Sequence, residues 1–177
     1  MLVLQCTRKV AKRFKIKLEP LPENLYQTHL GVWYVNYAKI LRYKFLIFMN
    51  DPTLYSLPVY IRKVSDVKDM GKLFKQNLLY ALLDEGIDER LIRAKLREYD
   101  PVVYTKTSSR RILGHMNDII LNLESYIELE IYMTQGYMDI LQIVQHVQKK
   151  LNRIPQRALN WGCAADAIKE SFERSES

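Results

Sequence analysis

The sequence predicts an α+β domain, in which a small antiparallel sheet of about four to five strands packs against three to four helices. The 177 residues are 48% apolar, which is enough to bury one hydrophobic core. Residues 33–61 are dense in β-branched and aromatic side chains, which favour strands. Beyond residue 65 the apolar residues recur every three or four positions, as on one face of a helix. We therefore expect one domain over residues 1–170 and a disordered tail over residues 171–177.

Five short segments have the composition of strands. In chain order they are Leu2-Val3-Leu4, Trp33–Ile40, Tyr43–Asn50, Leu54–Ile61 and Val102-Val103-Tyr104. The three central segments predict an antiparallel meander, because Asn50-Asp51-Pro52-Thr53 is a clear turn between two of them.

Helices are predicted between and after these strands. They are a short basic helix from Arg8 to Lys15 capped by Thr7, a helix with its apolar face from Met70 to Leu82, a charged helix from Asp88 to Glu98, a long helix with its apolar face from Ile112 to Ile127, and a last helix from Tyr137 to Leu151. Gly86, Asp100-Pro101 and Gly136 separate the later ones. We expect the last two helices to form an antiparallel hairpin on the sheet.

The charge is unevenly distributed. The net charge is +7, and residues 1–75 contain 14 lysines and arginines against 5 aspartates and glutamates. Such asymmetry indicates an acidic partner. The two cysteines, the lack of a signal-peptide pattern and the lack of a long apolar run predict a cytoplasmic protein without a membrane segment.

The N-terminal helix is the first candidate binding segment. Six cations lie within residues 8–17, and Val10, Ala11 and Phe14 would face the core. Arg8, Lys9, Lys12 and Arg13 would then form a basic stripe for phosphates. The alternative is an ordinary solvated face.

A second candidate lies where the long helix begins. Thr107, Ser108 and Ser109 precede Arg110 and Arg111, although cations are disfavoured at a helix start. Amides, hydroxyls and guanidinium groups could cradle a phosphate there. The alternative is that Ser108 or Ser109 is only a cap and the arginines pair with acidic residues on a neighbouring helix.

A catalytic site on the same long helix is a further interpretation. His115 and Asp118 share a helix face and could act as an oriented general base. With Arg110 they would form the site of a small nuclease or toxin-type enzyme. No nucleotide-binding glycine motif or metal-ligand spacing occurs in the sequence, so we expect no cofactor and no metal. Gly114, inside the same helix, predicts close packing against a neighbouring element.

Several motifs resemble a family of uncharacterised bacterial proteins that is known only as a domain of unknown function and is associated with plasmids and mobile elements. The motifs are Met1-x-x-Leu-x-Cys-Thr-x-Lys, Leu30-Gly31-x-Trp33-Tyr34-x-Asn36, Phe45–Leu54, Arg110–Asp118 and Leu151-Asn152-x-x-Pro155. Members typically have a small residue where His115 stands, which weakens the general-base interpretation.

The resemblance implies no activity, but it implies a polar set that could converge. Its members are Trp33, Asn36, Asn50, Arg110, Asn117 and Asp118. Asn117 and Asp118 could instead be buried hydrogen-bonding residues between helix and sheet.

Three functions are compatible with these patterns. We expect first a binding module for nucleic acid or a phosphate-bearing ligand, serving as an accessory protein of a mobile element or defence system. A protein-interaction or antitoxin-like subunit, docking through the last helices, and a small enzyme are the alternatives.

Overall fold

Five strands form one sheet in the computed structural model, which describes residues 1–23 and 30–173. They are β1 (Leu2–Cys6), β2 (Trp33–Ile40), β3 (Tyr43–Asn50), β4 (Ser56–Ile61) and β5 (Val102–Lys106). Their order in the sheet is β4-β3-β2-β1-β5.

The predicted α+β class and meander are confirmed, but the sheet is mixed rather than antiparallel. Strands β2 and β3 have the predicted bounds and pair antiparallel, as β3 and β4 do. Strand β1 instead pairs parallel with both β2 and β5. The reason is that helices lie between β1 and β2 and between β4 and β5, and such crossovers return the chain in the same direction.

In the described part of the chain, six α-helices cover both faces of the sheet. They are α1 (Arg8–Phe14), α2 (Met70–Asp84), α3 (Glu89–Arg97), α4 (Arg110–Met133), α5 (Ile140–Leu151) and α6 (Ala164–Glu173). The α1 face of the sheet packs against α1, α2, α3 and α6, and the α4 face packs against α4 and α5. The sequence predicts five helices, of which three to four are expected to pack against the sheet, and α6 is the additional one.

Coverage on both faces explains the composition of the strands. In β2, Trp33, Val35 and Tyr37 point into the core on the α1 face. The alternate residues Tyr34 and Ala38 point into the core on the α4 face. A strand buried on both sides has no polar side, so its residues form a nearly continuous apolar run.

The predicted hairpin of the last two helices is α4 with α5. Glu130 of α4 accepts hydrogen bonds across the hairpin from Lys150 (2.6 Å), and His146 lies 3.3 Å from the same carboxylate. Helix α6 follows the hairpin and was not predicted. Of the predicted tail, residues 171–173 form the last turn of α6, and residues 174–177 lie outside the described residues.

Strand β4 is an edge strand, and two residues block its outer side. The Asn152 carboxamide accepts from the Ser56 N–H and donates to the Ser56 C=O, each at 2.7 Å. Pro58, two residues further on, has no N–H to offer. Unpaired strand edges invite pairing with other chains, so Asn152 and Pro58 protect this one.

A buried carboxylate joins the two helical layers around the same edge. Arg153 contacts Glu85 at 2.8 Å, and the Tyr55 hydroxyl donates to Glu85 at 3.4 Å. Burial raises the pKa of Tyr55 above its usual value, and the Glu85 charge raises it further. Glu85 ends α2 and Arg153 follows α5, so this ion pair connects helices from opposite faces.

Within the described ranges, no helix is both long enough and apolar enough to cross a membrane.

Candidate nucleic-acid interface

The two predicted binding segments begin side by side on the sheet. Cys6, the last residue of β1, is the register partner of Lys106, the last residue of β5. Thr7 and Thr107 therefore leave two adjacent parallel strands at the same edge. From there α1 packs on one face of the sheet and α4 on the other.

At the start of α4 the hydroxyls of both serines form hydrogen bonds with other groups of the protein. Ser108 donates to the Gln5 Oε1 from its N–H (2.8 Å) and from its hydroxyl (3.0 Å), and the same hydroxyl lies 3.0 Å from the Tyr34 hydroxyl. The Ser109 Oγ accepts from the Ile112 N–H at 3.3 Å and caps the helix. Gln5 and Tyr34, which hold this turn in place, were not singled out in the sequence.

The two arginines at this helix start differ in their surroundings. Arg111 lies 3.2 Å from the Asp51 carboxylate. Burial raises the pKa of Asp51, and the positive charge of Arg111 lowers it. Arg110 is exposed and has no ion pair among the described residues. The serine cap and one of the two arginine pairs agree with the alternative interpretation, but the acid, Asp51, lies in the turn between β3 and β4 and not on a neighbouring helix.

Helix α1 presents its cations differently. The Thr7 Oγ1 accepts from the Val10 N–H at 3.4 Å and donates to Asn36 Oδ1 at 3.1 Å, which fixes the helix start. Lys9 and Arg13, one turn apart, both lie over the ring of Tyr37. The distance to the ring centroid is 5.3 Å from the Lys9 Nζ and 4.4 Å from the Arg13 Cζ. Cation–π contacts of this kind hold two charges in place.

The positive surface continues onto the sheet. Lys39 is the next residue after Tyr37 that points to the α1 face of β2, and its register partner on β3 is Lys44. Side chains at partner positions have Cβ atoms about 4.5–5.5 Å apart, so like charges there repel. We call the following residues the α1 basic surface: Arg8, Lys9, Lys12, Arg13, Lys39 and Lys44.

These cations lack acidic partners. Across residues 1–23 and 30–173, none of the six is within ion-pair distance of a carboxylate. In contrast, Arg111, Lys149, Lys150 and Arg153 of the C-terminal half are all paired. The uneven charge seen in the sequence is therefore a surface feature of the folded protein.

The ring beneath two of these charges is almost fully buried. Tyr37 is 3% exposed, and Phe14 packs edge-on against it with 6.1 Å between centroids. In the described part of the chain its hydroxyl has no hydrogen-bond partner. The ring thus serves as an apolar support for Lys9 and Arg13.

The polar set implied by the resemblance does not converge. Trp33 is buried on the α1 face and donates to the Tyr99 hydroxyl at 2.9 Å. Asn50 is buried in the turn after β3, where it donates to the Leu30 C=O at 2.6 Å and accepts from the Thr53 hydroxyl at 2.6 Å. Both residues therefore have structural roles.

Asn117 and Asp118 are exposed on α4, so the expectation that they are buried between helix and sheet is wrong. His115 is half-buried, and no hydrogen bond or ion pair among the described residues joins it to Asp118 or Arg110. Gly114 is also exposed, and a Cβ added there would contact nothing within 4 Å. The predicted close packing at Gly114 is therefore wrong.

The thiols and acids do not assemble into a site in the residues that the structure describes. No group of three His, Cys, Asp or Glu side chains there could hold a metal ion. Cys6 is buried, and burial raises its pKa to about 12. Cys163 donates to Asp166 at 3.1 Å, and partial burial raises its pKa.

Comparison with known proteins identifies the family. No curated protein matches the chain. The family described as Domain of unknown function (DUF6933) matches residues 3–167, a range that includes strands β2 to β5, all of β1 except Leu2, and both candidate segments. The chain therefore belongs to this family of unknown function.

Proposed function

We propose that this protein binds nucleic acid, or another polyanion that carries phosphates, through the α1 basic surface. The observation that carries the proposal is the clustering of six cations without acidic partners in the described chain. Protein surfaces normally mix both signs, and unneutralised cations at short distance repel one another. A phosphate backbone would relieve this repulsion and release its own counterions.

The arrangement of the charges supports the same proposal. Lys9 and Arg13 rest on Tyr37, and Lys39 and Lys44 are held in register by the strands. Because Lys9 and Arg13 are already held on the ring, they lose less side-chain entropy on binding, and the register of the strands keeps Lys39 and Lys44 at neighbouring positions. Arg8 and Lys12 are exposed on the same short helix and add to the positive potential.

The start of α4 makes a smaller contribution in this proposal. Arg110 is free of acidic partners in the described chain, but Arg111 is neutralised by Asp51, and the two serine hydroxyls are engaged. Consistent with the resemblance, we place this activity in a cytoplasmic accessory protein of a mobile element or defence system.

The test is fluorescence anisotropy with labelled duplex DNA and single-stranded RNA, between roughly 50 and 200 mM salt. We expect micromolar or tighter binding that weakens steeply with salt. Arg8→Gln/Lys12→Gln should weaken it more than Arg110→Ala/Arg111→Ala. Arg90→Gln/Arg97→Gln, which removes two exposed cations from α3, is the matched control. Absence of binding at the lowest salt would refute the proposal.

A second candidate is a protein-binding role through the α4–α5 hairpin. Six large apolar side chains on it are between 48% and 90% exposed: Leu121, Leu129, Tyr132, Met133, Tyr137 and Leu141. Exposed apolar residues in such number are typical of interaction sites. Sedimentation of the wild type and of Tyr132→Ser/Tyr137→Ser would test for self-association. A monomer at all concentrations, for both proteins, would argue against a homotypic contact.

A further inference from the structure

We propose that the ligand of the α1 basic surface is duplex nucleic acid, held through its phosphates and without sequence readout. This inference rests on the proposed function and specifies its ligand class. It follows from three properties of the surface: its aromatic rings, its carboxamide groups and the area over which the six cations are spread.

First, among the described residues the surface offers no highly exposed ring on which a base could stack. Proteins that bind single strands generally combine a basic groove with aromatic platforms. The ring of Tyr37 is 3% exposed and is covered by Lys9 and Arg13. The highly exposed aromatic residues of the described chain lie elsewhere, on α2, at the end of α4 and just after it, and before α6: Tyr80, Tyr132, Tyr137 and Trp161.

Second, the carboxamide oxygen of Asn36, the residue before Tyr37 in β2, is already engaged. Asn36 Oδ1 accepts from the Thr7 hydroxyl at 3.1 Å and from the Tyr37 N–H at 2.8 Å. An asparagine that reads adenine must present both its oxygen and its nitrogen to the base edge. The surface is therefore suited to phosphate contacts, which position a ligand but do not specify its sequence.

Third, the charges are spread over an area that suits a duplex. Helix α1 has seven residues, or about 10 Å at 1.5 Å per residue. Lys39 lies two residues, or about 7 Å, beyond Tyr37 along β2. Cations on a helix and on two strands form a patch rather than a single line. A patch can contact both backbones of a duplex, whereas the one backbone of a single strand would contact only some of the cations in the patch.

The charge count gives a quantitative expectation. If four to six cations neutralise phosphates, the slope of log K against log salt should be about −4 to −5 for a duplex. Each contact that is removed should reduce this slope by about 1. Lys39→Gln/Lys44→Gln should therefore reduce it by about 2, whereas Arg90→Gln/Arg97→Gln should leave it unchanged.

The experiment compares the full chain with a duplex of about 20 base pairs, with each of its strands, with a second duplex of unrelated sequence, and with poly-glutamate of equal charge. We expect both duplexes to bind equally within about threefold, and each to bind about tenfold more tightly than any single strand. Circular dichroism would confirm that the variants are folded.

The outcomes separate this inference from the proposed function. Equal or tighter binding of the single strands would overturn the duplex assignment and leave nucleic-acid binding intact. A large preference for one duplex sequence would overturn the inference that the surface does not read the base sequence. Equal binding of poly-glutamate, or binding of none of the probes, would overturn the proposed function itself.

Discussion

The Asn152 carboxamide replaces a missing neighbour strand for Ser56, and its removal provides a quantitative test of how the sheet edge is completed. In Asn152→Ala both the N–H and the C=O of Ser56 lose their partner. Ser56 is 0% exposed, so water does not readily take over these bonds. Each buried unsatisfied polar group costs about 1–3 kcal/mol, so the variant should lose about 2–6 kcal/mol of unfolding free energy.

The assay is urea denaturation followed by circular dichroism, supported by thermal melting. For a chain of this length each kcal/mol lowers Tm by about 2–4 °C, so the same loss lowers Tm by about 4–24 °C. Asn117→Ala is the matched control, because Asn117 is exposed and its loss should change stability by no more than about 0.5 kcal/mol. A loss below about 1 kcal/mol for Asn152→Ala would refute the assigned role of the carboxamide.

Further predictions concern single residues. Gly114→Ala should stabilise the protein by about 1 kcal/mol, because the position is helical and a Cβ there meets nothing; destabilisation in a urea melt would contradict this. Tyr37→Phe should be neutral or stabilising by up to about 1 kcal/mol, because it removes a buried hydroxyl without a partner among the described residues; a clear loss of stability would show that the hydroxyl is bonded. A thiol reagent near pH 8 should label Cys163 while Cys6 reacts only on unfolding, since burial raises the pKa of Cys6 to about 12. The same shift means that the folded state retains the Cys6 proton that the unfolded state loses above about pH 9. Cys6→Ala should therefore flatten the decline in stability between about pH 9 and pH 12, and an unchanged alkaline profile would count against the burial of this thiol.

Local patterns predicted much of the fold. The turn at Asn50-Asp51-Pro52 and the dense β-branched and aromatic residues around it gave strands β2 and β3 with the bounds that the structure shows. The apolar spacing of α4 and α5 likewise predicted the helical hairpin. Each of these signals lies within one segment of the chain, so no knowledge of distant partners was needed.

Features that depend on distant partners were missed. Strand β1 is too short for its pattern to reveal whether it pairs parallel or antiparallel, and this is decided by crossovers elsewhere. Gln5 is a polar residue in a buried strand, and its partner Ser108 lies 103 positions later. Helix α6 did leave a signal, in the spacing of Ala164, Ile168 and Phe172, that could have been recognised.

The candidate site could be predicted only in part. The sequence located the cations of α1, but not Tyr37 beneath them or the Lys39–Lys44 pair beside them. These juxtapositions arise from the register of β2 with β3 and from the packing of α1 on β2. For the same reason the sequence did not reveal the contact of Arg111 with Asp51, which spans 60 positions.

The central claim is that the α1 basic surface binds the ligand, and a backbone-amide NMR titration with a short duplex at roughly 50 mM salt tests it most directly. We predict that the perturbed amides cluster in residues 8–17 and 37–46. Perturbations confined to residues 107–118 would instead place the ligand at the start of α4, and those confined to residues 121–141 would indicate the hairpin. Either of these results, or an unperturbed spectrum, would contradict the claim.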